Sequence, residues 1–370
     1  MVDPEARKQI LAEFDAQSNI YERLAEKIRT LLQELLESHG ISVHAITSRI
    51  KTRKSLEKKI HKLGTVYKQL SDITDIAGVR IITYLAKDVD RIKPILEEEF
   101  DIDVSNSSDK RHPATENQFG YSSLHHVLSL NAARADTREN NRFQALKLEV
   151  QTRSILQHAW AEIEHDSGYK SDVEVNARTS RRFARIASLL ELADEEFDGI
   201  DEEINNQVRA KAIAIEQHPE KVALDAISLK AFIANDPEIR NLEHEMLRDK
   251  TPHGQLPDAN MVIYINCIQE LGVTNFEEIK DLFRKNRELL IAFTDFWLDG
   301  PKHYAIAMGI SIYYLWLIKV VSKGKNLVHF SVSKEPFPAI LGDLNNYSKT
   351  LAQLQQNVNA AERRVDEASK

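Results

Sequence analysis

The positive charge of this acidic chain is concentrated in one short segment. The whole sequence has 57 acids against 49 lysines and arginines, a formal charge of −8, yet residues 49–68 hold eight cations against Glu57 alone. The eight are Arg49, Lys51, Arg53, Lys54, Lys58, Lys59, Lys62 and Lys68. Such a run is often only the solvated face of a helix. This one leads into Asp72 and Asp75, which favours a site that binds phosphate groups next to carboxylates.

Two carboxylates stand where they could hold a metal ion. Asp75 precedes a predicted strand, Gly78 lets the backbone come close to a ligand, and Arg80 adds a planar cation. In residues 146–153 (LKLEVQTR), alternation places Glu149 on a polar face, which could also be a strand edge facing water. Paired with Asp75, Glu149 predicts a Mg²⁺ site, because this ion takes oxygen ligands and leaves room for phosphates. With no Walker A sequence, the combination indicates phosphoryl-type transfer outside the P-loop class.

Two further segments carry candidate functional side chains. In residues 117–125 (NQFGYSSLH), Tyr121 offers a flat face for stacking on a nucleobase, or is simply a buried tyrosine after a turn. Further on, His158, Glu162 and His165 share one helix face at a spacing that could bind zinc. We favour the interpretation in which this face supports Glu149 instead.

The elements that must position these residues are a sheet and several helices. Residues 5–38 have the apolar periodicity of one long helix, which Gly40 is placed to end. Strand-like segments follow at 78–85, 122–130 and 142–153, so the first half is predicted to be a sheet surrounded by helices.

From about residue 175 onward the pattern is helical. Apolar residues from Ile186 to Val208 form a seam that requires a partner helix, in this chain or in another subunit. Residues 249–259 are predicted to form a linker or hinge. After it, Thr274 and Glu277 predict the capped start of a short helix, and Pro301 could open an apolar helix at 304–318.

Composition excludes several classes of protein. The acidic surface of the 370-residue chain argues against a general DNA or RNA coat. One cysteine, Cys267, allows no internal disulfide, and the start lacks the apolar core of a signal peptide, so we expect a cytoplasmic protein. The apolar run at 304–318 is shorter than the ~20 residues that span a bilayer, so no membrane association is predicted.

Four motifs together resemble the synthetase domain of the RelA/SpoT family. They are DIAGVR at 75–80, FGYSSLH at 119–125, LEVQTR at 148–153 and ILQHAWAEIEHDSGYK at 155–170, and the resemblance covers roughly residues 10–210. It implies an α+β fold, a mixed β-sheet flanked by helices, and the helical pattern that follows predicts an all-α C-terminal domain. It also implies a Mg²⁺-dependent pyrophosphokinase that moves the β,γ-pyrophosphate of ATP to the 3′-hydroxyl of GDP or GTP. The products would be AMP and the alarmones ppGpp or pppGpp of the stringent response.

Motif positions imply a role for individual residues. Asp75 and Glu149 match the catalytic, metal-binding carboxylates of the family. The ATP-binding residues implied by the resemblance are Arg49, Lys51, Lys59 and Arg80. Those implied or considered for the acceptor are Tyr121, His125, Gln151, His158, Lys110 and Arg111. The sequence departs from the family at Ser122, where a basic or amide residue is usual, and in residues 107–118, where Lys110 and Arg111 are the candidates to grip the acceptor.

The resemblance predicts three segments. Residues 1–45 are the N-terminal helix, 46–215 the synthetase core with its following helix, and 216–370 a helical extension that regulates, oligomerises or acts as an antitoxin. Too few residues precede Asp75 for the hydrolase domain of the long relatives, which favours a stand-alone synthetase. The helical extension could make the protein a homo-oligomer or receive a protein trigger or inhibitor.

The resemblance leaves the acceptor open. The second function that it allows is a toxin that pyrophosphorylates the 3′ end of tRNA and is inhibited by its own C-terminal domain. A third function is that of a catalytically silent nucleotide-binding regulator, which the presence of both carboxylates, Asp75 and Glu149, disfavours.

Overall fold

A computed structural model describes most of the chain. The described residues are 3–62, 67–109, 111, 123–169, 177–247, 261–297, 308–322 and 347–368. Contacts divide the chain into a first unit, residues 1–201, and a second unit, residues 202–370.

A six-stranded sheet forms the centre of the first unit. Its strands are β1 (Val43–Ile50), β2 (Ala77–Thr83), β3 (Phe100–Ile102), β4 (Ser108–Asp109), β5 (Leu124–Leu130) and β6 (Leu148–Ser154). The order is β1-β2-β6-β5-β3, with β4 also paired to β5. Because β2 and β6 are parallel and the other pairs antiparallel, the sheet is mixed, as predicted. β6 is an inner strand, so the interpretation of its polar face as a strand edge was wrong.

Helices flank this sheet. They are α1 (Pro4–Ser38), α2 (Arg53–His61), α3 (Lys87–Glu99), α4 (Ala132–Ala135), α5 (Ile155–Tyr169) and α6 (Ala177–Gln217), the last of which continues past residue 201. The predicted first helix is confirmed in α1. The Asp3 side chain accepts hydrogen bonds from the backbone N–H groups of Glu5 and Ala6 at its start, and Gly40 follows its end with φ of 65°. One sheet face packs into the core, where Val79, Ile81 and Val150 are buried with Ile28 of α1. The opposite sheet face is left for polar side chains.

Helices are the only regular secondary structure in the described residues of the second unit. Its helices after α6 are α7 (Ala226–Asn235), α8 (Pro237–Leu247), α9 (Met261–Glu270), α10 (Phe276–Trp297), α11 (Ile310–Ser322) and α12 (Tyr347–Ala368). Their core is rich in aromatic rings, including Phe232, Tyr264, Phe293 and Tyr314. The predicted hinge at 249–259 lies outside the described residues. No helix in the described part of the chain is long and apolar enough to cross a membrane.

Two helix starts in the second unit differ from the prediction. α10 has 22 residues rather than being short, and Thr274 hydrogen-bonds to Glu278, not to Glu277. The apolar helix predicted at 304–318 is present as α11, but it begins only at Ile310, and Pro301, which could open it, lies outside the described residues. Gly309 precedes it with φ of 82°, a left-handed conformation that a glycine adopts without strain. The first residues of this helix are capped by a distant carboxylate, which a local motif search cannot find.

Candidate active site

Strand register brings the predicted polar residues onto one face of the sheet. Gly78 of β2 lies between Arg49 of β1 and Glu149 of β6. Two residues further along β2, Arg80 pairs with Gln151 of β6, which in turn pairs with His125 of β5. Laterally paired residues point to the same side of a sheet, so these side chains share the face opposite the core.

Glu149 is the centre of a hydrogen-bond network on this face. Its Oε1 lies 2.7 Å from His125 Nδ1, and its Oε2 accepts from Gln151 Nε2 at 2.6 Å. Ser123 Oγ lies 2.6 Å from the other ring nitrogen of His125, and Arg49 Nη2 lies 4.0 Å from Glu149 Oε2. Burial raises the pKa of Glu149, but His125, Gln151 and Arg49 outweigh it and lower the pKa to about 2. The carboxylate is therefore ionised at neutral pH.

Asp75 is held between two lysines. It lies in the turn before β2, where its carboxylate is 3.0 Å from Lys51 Nζ and 2.8 Å from Lys59 Nζ. Burial raises the pKa of Asp75, and Lys59 and Lys51 together lower it by more. Lys51 follows β1, where its N–H donates to the Ile76 carbonyl at 2.8 Å. The basic run and the strand start are therefore joined directly.

Gly78 leaves space on the floor of this face. A Cβ at this position would lie 3.4 Å from Arg49 Nε and 3.4 Å from the Glu149 carbonyl oxygen. Without it, the Arg49 side chain lies close over the strand, towards Glu149. Both distances are ordinary van der Waals contacts, so the described residues impose no steric requirement for glycine at this position.

Sequence reasoning missed a cationic cluster around Glu162. Its carboxylate, on α5, is 2.9 Å from Arg80 Nη1, 3.5 Å from Arg153 Nη2 and 3.7 Å from His158 Nδ1. The Nε atoms of Arg80 and Arg153 are buried without a hydrogen-bond partner among the described residues. Burial, followed by the charge of Arg80, lowers the pKa of Arg153 to about 10. The sequence signals for this cluster were the alternation that places Arg153 on the polar face of β6 and the spacing that places His158 and Glu162 on one face of α5. Only the tertiary fold brings these side chains to Arg80.

The remaining predicted residues divide into two groups. Arg111 lies at the end of the described segment, where it pairs with Asp90 at 2.9 Å and Asp109 at 2.7 Å. Lys110 and Tyr121 lie outside the described residues, as do Ser122 and residues 112–118. No three His, Cys, Asp or Glu side chains of the described residues are grouped so that they could hold a metal ion.

Comparisons with known proteins agree with these motifs. A family model described as the region found in RelA/SpoT proteins matches residues 48–174. Two curated relatives come from Bacillus subtilis (strain 168). GTP pyrophosphokinase YwaC is 28% identical over 186 residues, covering 49% of this chain and 85% of the relative. GTP pyrophosphokinase YjbM is 27% identical over 177 residues, covering 48% and 80%.

The solved structures that resemble the chain include small alarmone synthetase 2 from Bacillus subtilis. It has 24% sequence identity and a TM-score of 0.45, covering 52% of this chain and 99% of that one. The family match includes the carboxylates Asp75 and Glu149 and the cations Arg49, Lys51, Lys59 and Arg80. Residues 48–174 of this chain are therefore similar to the region found in RelA/SpoT proteins.

Proposed function

We propose that the first unit transfers the β,γ-pyrophosphate of ATP to the ribose 3′-hydroxyl of GDP or GTP and releases AMP. The observation that carries this proposal is the set of ionised carboxylates paired with cations on one site: Asp75 with Lys51 and Lys59, and Glu149 with Arg49. Both curated relatives are GTP pyrophosphokinases, which supports a guanosine nucleotide as the acceptor.

The donor set fits Mg²⁺. The pKa of Asp75 and the pKa of Glu149 both lie below their ordinary values, so both groups present charged oxygen ligands at neutral pH. Mg²⁺ is commonly bound by one or two carboxylates together with substrate phosphates. We infer that Asp75 and Glu149 hold it in this way. When bound, the ion would draw electron density from the attacked phosphorus and neutralise charge on its oxygens.

The cations of the site suit the donor nucleotide. Lys51 and Lys59 each contact one carboxylate oxygen of Asp75. When a nucleotide binds, their ammonium groups would contact its phosphate oxygens instead. We assign the adenine to Arg49 and Arg80, which lie on adjacent strands and whose planar guanidinium groups would stack on a purine ring, as the resemblance implies. In this arrangement the two arginines would bind the base of ATP, and the two lysines would bind its phosphates.

Glu149 is suited to the acceptor hydroxyl. In the proposed step the 3′-oxygen forms a bond to the β-phosphorus, and the bond from that phosphorus to the α,β-bridging oxygen breaks. AMP leaves with those electrons, and the hydroxyl proton passes to Glu149. His125 and Gln151 fix the orientation of the carboxylate through its two oxygens. Tyr121, His158, Lys110 and Arg111 remain candidates for binding the acceptor.

Labelled ATP tests the proposal directly. The purified full chain is incubated with γ-labelled ATP and Mg²⁺, and GDP, GTP or deacylated tRNA is offered in separate reactions. We expect labelled guanosine products and AMP. We also expect Asp75→Asn to reduce transfer to background, because a neutral amide no longer pairs with the two lysines or binds the ion.

A matched variant controls for loss of charge alone. Asp103 is also a carboxylate with a lysine partner, Lys147 at 2.7 Å, but it lies outside the candidate site. Asp103→Asn should keep the transfer activity. Label found only on tRNA would overturn the proposed acceptor, and no label on any acceptor would overturn the proposed reaction.

A further inference from the structure

Glu162 is a counter-ion shared by two arginines on the polar face of the sheet. Its Oε1 lies 2.9 Å from Arg80 Nη1 and 3.5 Å from Arg153 Nη2. Arg153 is 5% exposed, and the side chain of Arg80 is 20% exposed. Two guanidinium groups that contact the same carboxylate oxygen are close enough to repel each other, and burial strengthens that repulsion. Glu162 therefore holds together two charges that would otherwise move apart.

A third guanidinium makes this carboxylate more important. Burial is the largest influence that lowers the pKa of Arg80 and the pKa of Arg153, and the charge of Arg49 lowers both further. The charge of Glu162 opposes the shift at both arginines. Glu149 lies 4.0 Å from Arg49, but the proposed function assigns this carboxylate to the metal ion and the acceptor. Glu162 is therefore the acid that stabilises the charge of Arg80.

The contact with Glu162 engages the edge of the Arg80 guanidinium and not its face. A guanidinium donates hydrogen bonds within its own plane and stacks on an aromatic ring through its flat face. An ion pair at Nη1 therefore leaves the face of Arg80 free for a purine ring. Arg80 Nε is buried and makes no hydrogen bond among the described residues, so the ion pair is the contact that orients this side chain.

We propose that Glu162 is a positioning residue for ATP, which holds Arg80 with its face towards the adenine ring and does not itself contact the nucleotide. This inference rests on the proposed function, because it takes the adenine site from there. The phosphates of ATP are assigned to Lys51 and Lys59, which contact Asp75 and not this cluster. Loss of the Glu162 charge should therefore weaken the binding of the base and leave the binding of the phosphates unchanged.

Calorimetry with the full chain tests this role through two ligands, ATP and inorganic triphosphate, each with Mg²⁺ and without an acceptor. Glu162→Gln keeps the shape of the side chain and removes its charge. We expect the Kd for ATP to rise about 5- to 10-fold, the size of one cation–π contact, while the Kd for inorganic triphosphate stays the same. Glu99→Gln is the matched control, because Glu99 of α3 also pairs with an arginine, Arg134, outside the candidate site. It should bind both ligands as the natural chain does, and circular dichroism should show that every variant is folded.

A double variant tests whether Glu162 acts through Arg80. Arg80→Gln should weaken ATP binding at least as much as Glu162→Gln. The double variant should bind ATP no more weakly than Arg80→Gln alone, because Glu162 then has no arginine to position for the base. Unchanged ATP affinity in Glu162→Gln, an equal loss of affinity for inorganic triphosphate, or additive losses in the double variant would each overturn the proposal.

Rates with labelled ATP separate this inference from the proposed reaction. In Glu162→Gln the KM for ATP should rise while kcat stays nearly unchanged, because the contact with the base is made before and during transfer alike. A natural chain that binds ATP but transfers no label would overturn the proposed reaction, and the binding comparison would still decide the role of Glu162. A natural chain that does not bind ATP would overturn both.

Discussion

Two glutamates, a half-buried one in the first unit and a buried one in the second, have pKa values shifted in opposite directions. At Glu149, burial raises the pKa, but hydrogen bonds from His125 and Gln151 and the charge of Arg49 together lower it to about 2. At Glu243, burial is the largest influence and raises the pKa, although Ser311 and Gly309 donate hydrogen bonds to the carboxylate. The residue type is the same, so the difference comes from the partners that the fold supplies.

The two carboxylates therefore do different work. Glu243 accepts from Gly309 N at 3.1 Å, Ser311 N at 3.0 Å and Ser311 Oγ at 2.7 Å, and so caps the beginning of α11. Glu149 lies on the polar face of the sheet beside Arg49, and Arg80 on the same face pairs with Glu162. The charged form of Glu149 is stabilised on the face that we propose binds substrate. Glu243 instead acts in the second unit as a hydrogen-bond acceptor.

Replacing Glu149 should produce the largest effect, on activity. Glu149→Gln keeps the size of the side chain and can still accept a hydrogen bond, but it cannot take a proton or carry charge. We expect pyrophosphate transfer to fall roughly 10²–10⁴-fold, the usual contribution of a general base. The measurement is the rate of labelled product formation, with a thermal unfolding curve to show a folded protein. Near-normal turnover in a folded variant would mean that Glu149 is not the proton acceptor.

Replacing Glu243 should lower stability instead. Glu243→Ala leaves the N–H groups of Gly309 and Ser311 without their acceptor, and a buried unsatisfied group costs about 1–3 kcal/mol. Glu243→Gln keeps an acceptor oxygen and is the matched control, with a smaller expected loss. Urea unfolding measures both. Equal stability of the alanine variant and the natural chain would refute a capping role.

The local sequence pattern was sufficient to predict several parts of the fold and of the candidate site. The alternation in LKLEVQTR correctly placed Leu148 and Val150 in the core and Glu149 on the other face. The periodicity of residues 5–38 correctly gave α1. These predictions succeeded because each depends on residues within a few positions of one another.

Features that depend on distant partners were not predictable in this way. β1 contains no fully buried residue and, among the described strands, pairs only with β2, so its residues lack the apolar signal of an inner strand. The link from Ser123 through His125 to Glu149 depends on the pairing of β5 with β6. The cap of α11 comes from Glu243, 66 positions before Gly309. Strand register and helix packing create these contacts, and no local motif encodes them.

Measured per pH unit, the smallest expected effect is the opposite pH dependence of stability at the two glutamates. The folded pKa of Glu149 is about 2 against an ordinary value of 4.5, so its contribution is present above pH 4.5 and is lost as the pH falls towards 2. The folded pKa of Glu243 is raised above 4.5, so its contribution is complete below pH 4.5 and is lost as the pH rises through the folded pKa. Each difference can change by at most about 1.4 kcal/mol per pH unit.

Hydrogen exchange at β6 and α11, compared between the natural chain and its Glu149→Gln and Glu243→Gln variants, separates the two contributions. The stability advantage of the natural chain over Glu149→Gln, read at β6, should shrink as the pH is lowered from 4.5. Its advantage over Glu243→Gln, read at α11, should shrink as the pH is raised from 4.5. Because every other carboxylate is common to the natural chain and the variant, each difference isolates one group. Slopes of the same sign at both sites would contradict the contrast between a charge kept for a substrate and a carboxylate used as a helix cap.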